Sequence, residues 1–334
     1  MDEVPPPEPV KSDPPFRWPI MLPLSLALAL IYGAGIYLLF SSAFGSASST
    51  GSAMISLGFL IGAPVGSAAV AVWVADPRGE GSTGEHAAVG LFVAILMIVV
   101  GLGFFGEGGV CVLMAAPIFF PFALIAALLA GRLRRRRSGR LYATTLPLLP
   151  LILLQVDTQV EPPMRAEAVT DSVVVEASPE SVWRHLVEVR NIRPEELGWT
   201  FTQDWAGVPK PLDARLEGRG VGAIRHVSWG GGIRFGEEIT HWQEGRALAW
   251  RFRFARDSIP ADVERHIRVD SAYLSVDGGD YRLEPLPGGR TRVWLTTRYR
   301  LKTHLNAYCA WWGRIMIGDF HSNVLEVIRR RAEG

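Results

Sequence analysis

Apolar positions follow two different rhythms along this chain. Up to about residue 156 they run in long unbroken blocks. No charged residue lies between Pro19 and Ala75, only Glu107 lies between His86 and Gly131, and none lies between Leu141 and Val156. A hydrocarbon core of roughly 30 Å needs about 20 apolar residues as helix. Residues 18–40, 52–75, 87–106 and 110–130 meet that length and predict four spans. The short turn carrying Glu107 makes the third and fourth a hairpin. Residues 141–156 are a fifth, shorter block that holds Pro147 and Pro150. A run this apolar is costly to leave in water, so it too is predicted to cross. The small residues Gly58, Gly62, Gly66, Ala68 and Ala69 suit close helix packing in the second span. Residues 18–156 therefore predict an all-α transmembrane bundle of about five helices.

Beyond residue 157 charges become frequent and apolar residues alternate with them. Residues 157–169 predict a linker, and 170–333 a separate domain. A strand at "TDSVVVEA" precedes a helix capped by Ser178, with Pro179 at its first position and Val182, Trp183, Leu186 and Val187 on one face. Strand patterns follow. In 247–255, Leu248, Trp250, Phe252 and Phe254 share a face, with Arg251 and Arg253 opposite. In "TRVWLTTRYRL", Val293, Leu295, Thr297 and Tyr299 share a face, opposite Arg292, Trp294, Arg298 and Arg300. An antiparallel sheet with one wet side is expected. "WGGGIR" lies between two strands and predicts a hairpin turn, since a phosphate cradle needs a following helix. A long helix over roughly 303–332 ends the pattern, with Arg329, Arg330 and Arg331 in its last turn.

Charge adds orientation. The 334 residues carry a net charge of +1, which gives no global attraction to nucleic acid. Arg132, Arg134, Arg135, Arg136, Arg137 and Arg140 cluster between two apolar blocks. Such loops stay cytoplasmic, so the cluster is a topological anchor. The loop carrying Arg78 and the N-terminal segment with Lys11 and Arg17 then also face the cytoplasm, and residues 1–17 are expected to be a disordered cytoplasmic tail. The other two short loops contain no Lys or Arg. If 141–156 crosses, the distal domain is extracytoplasmic; if it does not, that domain is cytoplasmic. The crossing is the expected case, in an integral, multi-pass cell-membrane protein.

The order of elements after residue 170, with "VVVEASPESVWRHLVEV", "FGEEITHWQEGRALAWRF", "YRLEPLPGGRTRVWLTTRY" and the final helix, resembles the START-like superfamily. That superfamily is also called SRPBCC, or polyketide cyclase/dehydrase and lipid transport. The resemblance covers half the chain and implies an α+β helix-grip domain, an antiparallel sheet curved around a long C-terminal helix with an apolar cavity between them. It also implies a hydrophobic small molecule or lipid as ligand, and in some members a reaction upon it.

Trp250, Phe252, Phe254, Tyr281, Tyr299 and Trp312 are the expected cavity aromatics, although strand parity does not separate cavity from core. His321, among Ile317, Val324 and Leu325, is the one candidate for acid–base work. Asp319, two residues away on a helix, points nearly opposite and is a poor partner for it. His226 and His241 with Glu237 or Glu238 match no metal spacing. No metal and no cofactor are expected, and membrane lipids are the expected partners. The leading functional expectation is membrane-tethered binding or transfer of a hydrophobic molecule. The alternatives are an enzyme of cyclase, dehydrase or hydrolase type on such a molecule, and a structural or sensory membrane protein without ligand.

Overall fold

The computed structural model describes residues 18–43, 55–105, 108–135, 145–260, 263 and 269–334. The expected tail at 1–17, Glu107, and Arg136, Arg137 and Arg140 of the anchor lie outside the described residues.

Among the described residues, four helices are long and apolar enough to cross a membrane. They are α1 (Trp18–Ala43), a π-helical turn at Gly58–Gly62 running into α2 (Ala63–Ala75), α3 (Thr83–Gly103) and α4 (Gly109–Arg135). Their facing sides meet through alanines and valines such as Ala68, Val72, Val93, Ala123 and Ala127. Ile31, Leu38, Phe92 and Val99 point outward, which is costly against water and favourable against lipid. The α2–α3 loop is fastened by Asp76, whose carboxylate accepts from the backbone N–H of Gly79, Glu80 and Gly81 at 2.8, 2.9 and 3.0 Å and pairs with His86 Nε2 at 2.9 Å. Ser82 and Glu85 then form a reciprocal capping box that starts α3.

The fifth apolar block is shorter than a span. A 3-10 turn at Leu146–Leu148 leads into α5 (Leu149–Gln159), so the helical part covers Leu146–Gln159 alone. The prolines explain its late start, since each lacks an N–H and fits only the first turn. Its position in the bundle is well defined. The Tyr32 hydroxyl, midway along α1, donates to the Pro147 carbonyl. Gly62 lies so close that an added Cβ would sit 2.6 Å from Pro150 Cα. At the far end Asp157, in the last turn of α5, accepts from Leu57 N at 3.0 Å and Gly58 N at 2.8 Å. Asp157 thus caps the start of the second span, where the sequence predicts a linker residue. α5 runs from mid-bundle to the end of the bundle where α1 finishes and α4 begins.

The first sheet strand starts earlier than the pattern predicts, at Met164. Seven strands form one antiparallel sheet in the order β1-β7-β6-β5-β4-β3-β2. They are β1 (Met164–Val175), β2 (Pro211–Glu217), β3 (Ile224–Trp229), β4 (Arg234–Gln243), β5 (Ala247–Arg253), β6 (Leu274–Leu286) and β7 (Arg290–Lys302). A short helix α6 (Pro179–Val187), capped by Ser178, follows β1, and the long helix α7 (Asn306–Glu333) closes the chain. The glycine run makes the β3–β4 turn, with Gly231 and Gly232 at φ 64° and 79°. A register shift in β6 between Val276 and Gly278 bends the sheet. There the Trp250 ring lies against Gly279, whose missing side chain leaves the room it occupies. The core joins sheet, α6 and α7 through Val175, Leu186, Leu248, Val293, Val327 and Ile328. Burying a Leu or Ile there contributes about 1.5–3 kcal/mol. The outer face carries charge pairs such as Arg300–Asp277 at 2.7 Å and Arg292–Glu284 at 3.5 Å. This is the helix-grip arrangement, set beside a helical bundle with four membrane-length helices.

The two halves touch at one end of the bundle. Gly109, first residue of α4, lies against the Ala206 carbonyl, and the Tyr308 hydroxyl of α7 donates to Met114 O at 2.5 Å. The arginines occupy the opposite end of α4. Arg134 donates to Trp73 O at 2.7 Å and lies over the Trp73 ring, and Arg135 donates to Gly81 O at 2.5 Å. At 1.5 Å per residue α4 separates these ends by about 40 Å.

Candidate functional site

A cavity of about 360 Å³ lies between the sheet and α7. Its wall is mostly apolar: Val227, Ile233, Phe235, Phe252, Phe254 and Val324 contribute, with Gly109 and Val110 from α4 at its edge. Among the described residues, two buried polar groupings interrupt that wall, in addition to the half-buried Asp213 of β2.

The first joins β3, β4 and β6. Arg225 and Glu237 are cross-strand partners, and both side chains point inward because they hold core-parity positions of their strands, as Val227 and Ile239 do. Arg225 Nε donates to Glu237, and its other arm donates to Leu186 O at 2.9 Å. The guanidinium lies over the Trp250 ring at 4.7 Å and the Tyr281 ring at 5.6 Å. Burial pushes the Glu237 carboxyl up, against the pull of Arg225. Burial is the largest influence on Arg225 and works against its charge, but Glu237 and Tyr281 together hold the guanidinium pKa above its ordinary value. Burial pushes the Tyr281 phenol up to about 12, so it stays neutral. A fixed cation and a neutral phenol are thus presented to an apolar space.

The second grouping joins α7, β7 and β1. His321 is 3% exposed. Its Nδ1 lies 2.7 Å from Asp171 Oδ2 and its Nε2 lies 2.8 Å from Thr297 Oγ1. A carboxylate only accepts, so Nδ1 carries the proton and Nε2 accepts from the threonine hydroxyl. Burial lowers the His321 pKa, and Asp171 restores part of it. The ring is therefore neutral, a base backed by a carboxylate and linked through Thr297 to the cavity.

That burial has a stability consequence. Below about pH 6.5 the unfolded chain takes up a proton on His321 that the folded chain resists, so this residue makes the protein less stable as pH falls. Thermal unfolding of the full chain in detergent from pH 8 to 5 is expected to show the wild type losing stability relative to His321→Gln on acidification. Parallel curves for the two proteins would show that the ring is not held neutral.

Five of the seven candidate residues line the inner cavity: Trp250, Phe252, Phe254, Tyr281 and His321. Tyr299 and Trp312 do not. They line a second cavity of about 280 Å³ between the grip domain and the bundle, because the first turns of α7 pack against the start of α4, where Tyr308 bonds Met114 O. Asp319 faces away from His321, as expected, and accepts from Thr202 N at 2.7 Å. His226 pairs with Glu217 at 2.9 Å at an exposed position, and Glu238 pairs outward with Arg253. Among the described residues no group of three or more His, Cys, Asp or Glu is placed to hold a metal ion. Asp171 and Arg225 escape the sequence reading, which places Thr297 only on a strand face and Glu237 only in a spacing that fits no metal. The available signal was a charged residue at core parity in each of two neighbouring strands, "AIRHV" and "RFGEEI".

No family model matches this sequence, and no curated protein matches it. Solved structures similar in fold include the ZhuI aromatase/cyclase from Streptomyces sp. R1128, at 16% identity over 51% of this chain and 94% of that one, with a TM-score of 0.32. The norcoclaurine synthase of Thalictrum flavum matches at 13% identity over 51% and 96%, with a TM-score of 0.33. The protein Ara h 8.0201 matches at 11% identity over 50% and 98%, with a TM-score of 0.32. Each of these likenesses covers about half of this chain.

Proposed function

We propose that this chain is a multi-pass membrane protein whose helix-grip half, residues 164–333, takes up a hydrophobic small molecule and acts on it by proton transfer. The observation that carries this reading is the convergence of the His321–Asp171–Thr297 relay and the Arg225–Glu237–Tyr281 cluster on one apolar cavity. In that arrangement a substrate C–H or O–H proton passes to Thr297 Oγ1 as the threonine's own proton passes to His321 Nε2. The electron pair left on the substrate develops as an oxyanion, which Arg225 and the Tyr281 hydroxyl stabilise. Enolisation of this kind leads to ring closure or loss of water, the chemistry of a cyclase or dehydrase.

The nearly complete apolar lining favours a second reading, binding and transfer without reaction. The two part on one experiment. The full chain is purified in mild detergent and its co-purifying hydrophobic molecules are identified by mass spectrometry. They are then incubated with wild type, His321→Gln and Thr297→Val. The enzyme reading expects conversion by wild type and a loss of about 10²–10⁴-fold in the variants. A ligand recovered unchanged by all three supports binding alone, and no ligand at all supports a structural role.

Orientation belongs to the same proposal. The arginine end of α4 faces the cytoplasm by the positive-inside bias. The grip domain, at the other end of the bundle, is then extracytoplasmic, with residues 1–17 inside and membrane lipids surrounding α1–α4.

A further inference from the structure

The second cavity extends into the bundle. From the grip domain it takes Tyr299, Tyr308 and Trp312; from the bundle it takes Gly33 and Tyr37 of α1, and residues of α3 and α4. Gly33 lies about 15 Å along α1 from its end at Ala43, by helical rise, so this chamber reaches membrane depth. Five side chains line both it and the inner cavity: Val269, Val276, Met316, Ile317 and Phe320. The partition between the two spaces is one side chain thick. Three of its five members sit on α7, and the unbranched Met316 has three rotatable bonds.

Among the described residues, none of those lining the chamber carries a formal charge. An ionised group drawn through it would lose its hydration with no partner to replace it, a cost of several kcal/mol or more. Exposed aromatics adjoin it: Phe104 packs edge-on to the lining residue Phe105, and Trp311 to the lining residue Trp312. An exposed tryptophan such as Trp311 settles at a bilayer's polar boundary.

We infer that the chamber is a loading port, through which an uncharged lipophile dissolved in the bilayer reaches the inner cavity past Met316, Ile317 and Phe320. The inference rests on the cavity reading above and narrows it: the substrate arrives from lipid, without an ionised head group. The membrane half is then part of the binding machinery, and α7 is shared between port and site.

The test uses the full chain in lipid nanodiscs, loaded with hexadecanol carrying a mid-chain diazirine. After irradiation, adducts are mapped by peptide mass spectrometry. Wild type is expected to be labelled both in the chamber, around Phe119 and Trp312, and in the inner cavity, around Val227 and Phe235. Met316→Trp, which thickens the partition, is expected to keep the chamber adducts and lose about ten-fold of the inner ones. Phe320→Ala, which thins it, is expected to raise the rate of inner labelling, and serves alone if Met316→Trp does not fold. The matching diazirine fatty acid, ionised at pH 8, is expected to leave the inner cavity unlabelled. Equal inner labelling in wild type and both variants would overturn the port and leave the cavity reading standing. Inner labelling by the ionised probe at the level of the alcohol would likewise overturn it. A wild-type inner cavity that no probe labels, even from an aqueous dispersion, would overturn the cavity reading itself.

Discussion

Arg225→Met is expected to lower the thermal midpoint of the full chain in detergent by about 10 °C, with most of the loss recovered in Arg225→Met/Glu237→Gln. The pair is buried, with Arg225 3% and Glu237 6% exposed. The guanidinium satisfies Glu237, the Leu186 carbonyl and two aromatic faces together. Removing it leaves an ionisable carboxyl without its partner and a helix-end carbonyl without its donor. Breaking a buried pair from one side costs about 3–5 kcal/mol, and a domain of this size loses about 2–4 °C per kcal/mol. Replacing both partners removes the uncompensated charge, so the double variant is the milder change. Differential scanning fluorimetry of the three proteins checks this. A single variant within the measurement error of wild type would show that Glu237 is solvated, and the site would lose its fixed cation as a structural element.

Cysteine labelling is expected to give an all-or-none answer on orientation. In a Cys111→Ala/Cys309→Ala background, Val221→Cys lies in the exposed β2–β3 turn and Arg78→Cys in the exposed α2–α3 loop. A membrane-impermeant maleimide added to intact cells is expected to modify the first and to reach the second only after permeabilisation. The reason is geometric as well as electrostatic. The arginines and the α2–α3 loop are bound together at one end of the bundle, and the grip domain meets the other end. If the first end is cytoplasmic, the chain between Arg135 and Asp157 must pass to the other side. The reverse labelling pattern would place the domain in the cytoplasm and set the positive-inside argument aside for this chain.

The two halves of the chain differ in how much of them local pattern determines. Span positions follow from runs of apolar residues, because lipid demands an uninterrupted apolar surface over a fixed length. The strands of the grip domain follow from alternation, and the α6 cap from Ser178 and Pro179, because these are properties of a few consecutive residues. The fifth block is less determined by local pattern. Its length alone does not reveal that Asp157 caps the neighbouring span, or that Pro150 nests against Gly62.

The site shows the same division. Aromatic parity and the isolation of His321 on an apolar helix face were legible as candidates. Their sorting was not: Trp250, Phe252, Phe254, Tyr281 and His321 fell to one cavity, Tyr299 and Trp312 to another. The partners of His321 lie on β1 and β7, and Arg225 meets Glu237 only through the β3–β4 register. By itself the sequence determined where the four membrane-length helices lie, which segments are strands, and which faces are apolar, since each depends on local spacing and transfer free energy. Only the tertiary structure decided which distant polar groups share a buried space, and that the bundle and the grip domain enclose a second one. Those outcomes depend on strand register and on which turns of α7 meet the sheet and which meet the bundle, and neither is encoded in the spacing of neighbouring residues.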